Sequence, residues 1–194
     1  MDAATKVDPA ITHWSVTDTP RSLSVNAAHN VLVTCSHLRK IKEYTSRGSP
    51  LREIPLPDEI RTPWHAVQAD GGQYIVCHGH LNFANHRVSK LSSDGRRTVQ
   101  SHGGQSGPDV GQYDVPRHLA IDGNEFVYVV DILNRRVTLL SASLEYVGEV
   151  VSPMRLSRWP YRIALDVRRR RLYVSENDFE DGVYGSGRVL VFNV

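Results

Sequence analysis

At 194 residues the chain has material for one sizeable core and not for two large domains. A composition of 40% hydrophobic and 23% charged residues excludes wholesale disorder. The net charge of +2 leaves only the placement of charge, not its sum, to point to a nucleic-acid or membrane partner.

In chain order, the opening residues MDAATKVDPA (1–10) carry no apolar signal core and read as a disordered or extended N-terminus. No stretch approaches the ~18 apolar residues of a spanning helix, so no membrane partner is expected. ITHWSV (11–16) follows as a short strand-like run. A unit over about 21–60 then reads RSLSV (21–25), NVLVTC from Asn30, Lys40 leading into IKEY, and LREIPL. The same order returns over 61–104: WHAVQ (64–68), QYIVCH from Gln73, Arg87 leading into VSKL, and RTVQS. HGGQSGPDVGQ (102–112) is a glycine-rich connection without the strand-to-helix context of a phosphate loop. The third unit, 113–152, reads RHLAI (117–121), FVYVVD, Arg136 before VTLL, and EYVGEV. The fourth, 158–194, reads YRIAL (161–165), RLYVSE, and Arg188 before VLVF, with no residues left for a fourth strand.

A repeat of about 40 to 50 residues built from four short strands, with no sustained helical period, predicts propeller blades. The fold class expected is therefore all-β: a β-propeller of about four antiparallel four-stranded blades. Either ITHWSV pairs with residues 189–194 and closes the ring, or the four units are an open arc of a six-bladed one. Cys35 and Cys77 sit inside apolar runs with no second pair to complete a metal set, and read as buried free thiols in a reducing, cytoplasmic setting.

The third unit carries P-x-x-L-A-I-D, V-Y-V-V-D and x-x-N-x-R-V, with Asp131, Asn134 and Arg136 as its acidic, turn and basic residues. Asn85 with Arg87 and Glu176 with Arg188 keep parts of the pattern; the first unit has Ser36 and Lys40 instead. Over residues 20–194 this resembles the NHL-repeat propellers, including those of tripartite-motif proteins. The resemblance implies a non-catalytic scaffold that recognises a protein or single-stranded RNA, in ubiquitin-ligase or post-transcriptional pathways. No RING, B-box or coiled-coil module accompanies the repeat in this sequence.

In such a ring the starts of the inner strands and the loops between second and third strands share one end. The starts supply the candidate binding residues Arg21, Trp64, His65, Arg117, His118, Tyr161 and Arg162. The loops add His37, Arg39, Lys40, His78, His80, His86, Arg87, Arg135, Arg136 and Arg188. Basic residues interleaved with aromatics suit phosphate contacts with base stacking. Against this, Lys40, Arg87, Arg136 and Arg188 recur at one repeat position and read as structural partners of the strand-end acids. Glu176, Asp178, Glu180 and Asp181 also bring negative charge to the same end.

No catalytic residue, cofactor or metal is assigned. The alternative is a metal-dependent propeller enzyme of the amidating-lyase or lactonase kind, with His65 and His118 at equivalent channel positions. Ser22 and Arg162 occupy those positions in the other units, and zinc catalysis needs about three protein ligands. Asp122 and Asp166, and the run Arg168 to Arg171, read as turn residues.

Overall fold

A computed structural model describes residues 14–79, 85–180 and 183–194. Four antiparallel sheets follow one another along the chain. The first comprises β1 (Pro20–Val25), β2 (Val31–Cys35), β3 (Lys40–Tyr44) and β4 (Pro50–Pro55). The second comprises β5 (Pro63–Gln68), β6 (Tyr74–His78), β7 (His86–Leu91) and β8 (Thr98–Gly104). β9 (Pro116–Ile121), β10 (Val127–Asp131), β11 (Arg136–Leu140) and β12 (Tyr146–Val151) form the third. The last has three strands, β13 (Trp159–Asp166), β14 (Arg171–Glu180) and β15 (Val183–Asn193). The all-β blade architecture expected from the repeat is present, and each sheet keeps its strands in sequence order.

Side chains of a strand alternate between two faces, so a strand with every residue buried must be covered on both. β6 and β10 meet that condition throughout. On β6 alternate residues serve two cores. Tyr74 and Val76 pack with Leu32, Ile41 and Ile54 of the first blade. Ile75 and Cys77 pack with Leu119, Val127 and Val129 of the third. The next core joins Val130 and Val137 to Ile163, Leu172 and Val174 of the fourth. The inner strands stack in turn, β1 on β5, β5 on β9 and β9 on β13.

The row has two open ends. Leu23, Leu119 and Ile163 hold one repeat position, which faces the preceding blade; Leu119 is 1% exposed and Ile163 6%, but Leu23 is 61% exposed. Val189 and Val191, on the far face of the fourth blade, are exposed as well. The first and last blades therefore do not cover one another.

Trp14 and Val16 lie on Val33, Cys35 and Tyr44, and the Trp14 and Tyr44 rings are 4.7 Å apart. An ion pair between Lys42 and Asp18 holds this segment over the outer part of the first blade's free face. Of the run expected to act as a closing strand, residues 11–13 lie outside the described residues, as does the 1–10 N-terminus. Among the described residues β15 pairs only with β14.

Cys35 and Cys77 are both buried and free. Asp122 accepts from the backbone N–H of Asn124 and Phe126, each at 2.9 Å, and Asp166 from Arg169, so both are turn residues. Among the described residues no helix is long and apolar enough to cross a membrane.

Candidate binding surface at the inner-strand ends

Each inner strand carries a proline at or next to its start, followed by one extra residue. In the first blade Pro20 lies opposite Cys35 and Ser22 opposite Thr34, so Arg21 has no partner. Trp64 is passed over in the same way between Pro63 and His65, Arg117 between Pro116 and His118, and Tyr161 between Pro160 and Arg162. Such a β-bulge bends the strand and re-aims the unpaired side chain. Four bulges at one repeat position thus turn Arg21, Trp64, Arg117 and Tyr161 along the same end of the row.

Together they form an alternating ladder. The Arg21 guanidinium lies 5.1 Å from the centre of the Trp64 ring. Arg117 lies 4.4 Å from Trp64 on one side and 4.4 Å from Tyr161 on the other. Arg162 follows at 4.6 Å from Tyr161. Arg117 also donates to the Tyr161 hydroxyl, and the Trp64 indole N–H donates to the Gly79 carbonyl. A guanidinium over an aromatic face is attracted by the ring quadrupole, and planar stacking fixes its orientation. Trp64 is only 8% exposed, with Arg21 and Arg117 both close to its ring, so it positions arginines and offers no open platform for a base. Among the described residues neither Arg21 nor Arg117 forms an ion pair.

His65 and His118 lie one residue further in. Their rings are stacked, with centres 3.9 Å apart and planes 12° from parallel. Burial, helped by the Arg162 charge, pushes His65 down to about 3. Burial, then His65 and Arg162, pushes His118 down to about 2. Both rings are neutral at physiological pH and add no charge to the ladder. Imidazole lone pairs lie in the ring plane, so two parallel rings do not converge on one ion. Among the described residues no group of three or more His, Cys, Asp or Glu is arranged to hold a metal.

All seven candidate residues at the strand starts are thus neighbours. The loop residues divide differently. Arg136 donates to Asp131 at 2.9 Å and to the carbonyls of Pro108 and Gln112, pinning the glycine-rich connection. Arg188 pairs with the buried Glu176, and Arg158 with Asp178. Lys40 pairs with Glu53, and Arg39 with Asp58. His86 accepts from the Val115 backbone N–H at 2.9 Å and joins the second blade to the third. His37 and Arg135 are exposed in turns. His80 and Asp181 lie outside the described residues, and the Glu180 side chain is not described. The structural role expected of the recurring base is met in the third and fourth blades; in the first and second its partner is not the strand-end residue.

No family model matches the sequence, and no curated protein is similar to it. Solved structures do match in shape. A streptogramin B lyase superposes with a TM-score of 0.58 over 94% of this chain, at 17% identity. That settles the fold. The chain is a four-bladed β-propeller. Virginiamycin B lyase from Staphylococcus aureus gives 0.57 over 89% of the chain at 15% identity. A protein of unknown function from Bacteroides caccae gives 0.53 over 87% at 14% identity. The chain spans 57%, 54% and 60% of these three proteins' lengths. The propeller's likeness to them is one of fold alone.

Proposed function

We propose that this propeller is a non-catalytic recognition module of the NHL type, which binds an acidic segment of a protein partner along the Arg21, Trp64, Arg117, Tyr161, Arg162 ladder. The observation that carries the reading is the clamping of Arg117 between two rings, 4.4 Å from each, with no ion pair to a carboxylate among the described residues. A guanidinium already oriented and partly desolvated loses little freedom when a carboxylate arrives. The NHL-type reading is supported by Asp131, Asn134 and Arg136. These are the residues of the repeat signature, and they form one network: Asn134 and Arg136 both donate to Asp131 Oδ2, at 2.7 and 2.9 Å.

A protein partner is favoured over single-stranded RNA because the Trp64 ring is buried beside Arg21 and Arg117. Base stacking would have to displace the arginines that phosphates need. Fluorescence anisotropy with a labelled oligoglutamate peptide and a labelled oligouridine tests this. Peptide binding that weakens with salt and is lost in R21A/R117A supports the reading. Oligouridine bound more tightly than the peptide would replace the protein partner with RNA, and R21A/R117A binding as well as wild type would remove the surface altogether.

A further inference from the structure

The base that recurs on the third strand of each blade, Lys40, Arg87, Arg136 and Arg188, has a carboxylate in three of the four blades, drawn from two register positions. The first lies directly across on the second strand. Asp131 faces Arg136 there and Glu176 faces Arg188, at 2.9 and 2.5 Å. The other lies on the fourth strand, opposite the residue two beyond the base. Glu53 stands there in the first blade, opposite Lys42, and reaches Lys40 at 2.7 Å. Glu149 stands there in the third, opposite Thr138, with Arg136 at 3.7 Å.

The second blade has neither carboxylate. His78 lies across from Arg87, and Ser101 takes the fourth-strand position, opposite Ser89. Among the described residues Arg87 forms no ion pair; its Nη1 donates to the Ser101 hydroxyl at 3.2 Å, and its buried Nε has no partner. His78 Nε2 shares a hydrogen bond with the Ser89 hydroxyl at 2.9 Å, while its Nδ1 is buried and unpartnered. A cavity of about 260 Å³ lies here, lined by His78, Arg87, Ser89, Ser101 and Glu59 among others. Burial and the Arg87 charge push His78 down to about 4, so it is neutral at physiological pH. In the tautomer with its proton on Nδ1, the ring accepts from Ser89 and has a donor to spare.

We propose that this cavity binds a carboxylate supplied from outside the chain, beside Ser101 in the place that Glu53 and Glu149 fill on the fourth strands of the first and third blades. The guanidinium fork matches a planar carboxylate. Glu59, which accepts from the Thr98 hydroxyl at 2.8 Å, also lines the cavity; its charge opposes any anion, and the two charges of a phosphate more than the single charge of a carboxylate. A free carboxylic acid and the acidic side chain of a partner protein share this chemistry. The site is separate from the arginine ladder and stands or falls without it.

The test uses the full chain, with sodium acetate replacing sodium chloride at constant ionic strength and the His78 imidazole followed by NMR. A saturable shift is expected in wild type. R87Q should weaken binding at least about tenfold, and S101E, which restores the missing acid at an exposed position, should do the same. N-acetyl-Gly-Glu-Gly-amide separates the sources: tighter binding than acetate points to a protein side chain, and equal or weaker binding to a free acid. A linear acetate response, equal binding by S101E, or inorganic phosphate bound more tightly than acetate would each overturn the proposal.

Discussion

The imidazole of His65 lies flat against that of His118, centre to centre at 3.9 Å, across the seam between the second and third blades. Neither ring can take a proton without holding a charge in that seam. An unfolded chain protonates these histidines below their ordinary value of 6.5, while the native state refuses the proton until about 3 at His65. Stability is therefore intact above about pH 6.5 and falls as pH drops below it. Between about pH 7.5 and about pH 5, each buried imidazole should cost about 2 kcal/mol. Urea unfolding at the two pH values measures this, and H65N should have a shallower pH dependence whatever its absolute stability.

Arg117→Lys keeps the charge of the ladder and discards the planar group between Trp64 and Tyr161. Lysine lacks the planar fork and is no longer held in place by the two rings, so affinity for the oligoglutamate peptide should fall about tenfold. The two stacked contacts exist in the unbound protein, so urea unfolding should also show a loss of about 1–2 kcal/mol.

Arg136 is 7% exposed and its partner Asp131 is fully buried, whereas Arg188 is 45% exposed beside the buried Glu176. R136A strands a carboxylate in the interior and should cost about 3–5 kcal/mol in urea unfolding. R188A should cost clearly less, since water reaches the place Arg188 leaves and Glu176 still accepts from the Arg158 backbone N–H. Combining D131A with R136A should recover part of the single-mutant loss.

Leu23 and Leu119 occupy one repeat position in different surroundings, 61% and 1% exposed. L119A should cost about 2–5 kcal/mol, and L23A under about 0.5 kcal/mol. Equal losses would mean that something covers Leu23 in solution.

The blades were legible in the sequence because apolar runs such as VLVTC and VYVVD carry the period of the fold in their own spacing. The residues at the inner-strand starts were legible too, yet the ladder was not. Its signal was the proline before each of Arg21, Trp64, Arg117 and Tyr161, but a bulge is a property of pairing between strands and leaves no periodic trace. The assignment of Trp64 to base stacking missed that arginines from two adjoining blades would lie over its ring. The vacant acid beside Arg87 was hidden for a related reason. Recognising Ser101 as the counterpart of Glu53 and Glu149 needs the register of the outermost strands, which slips near Leu91 and Leu140. His86 joined the surface histidines because its contact to Val115 spans two blades and follows no local rule.

Because each sheet rests only on those beside it, the free energy of this molecule is a sum of local stabilities and seams, as in a linear array. The outer sheets are each buttressed on one side, and among the described residues the last has three strands. Unfolding should then run inward from the ends. Amide hydrogens of β6 and β10 should exchange last, those of β1 and β15 first, and the seam that holds His65 and His118 should be the last to part.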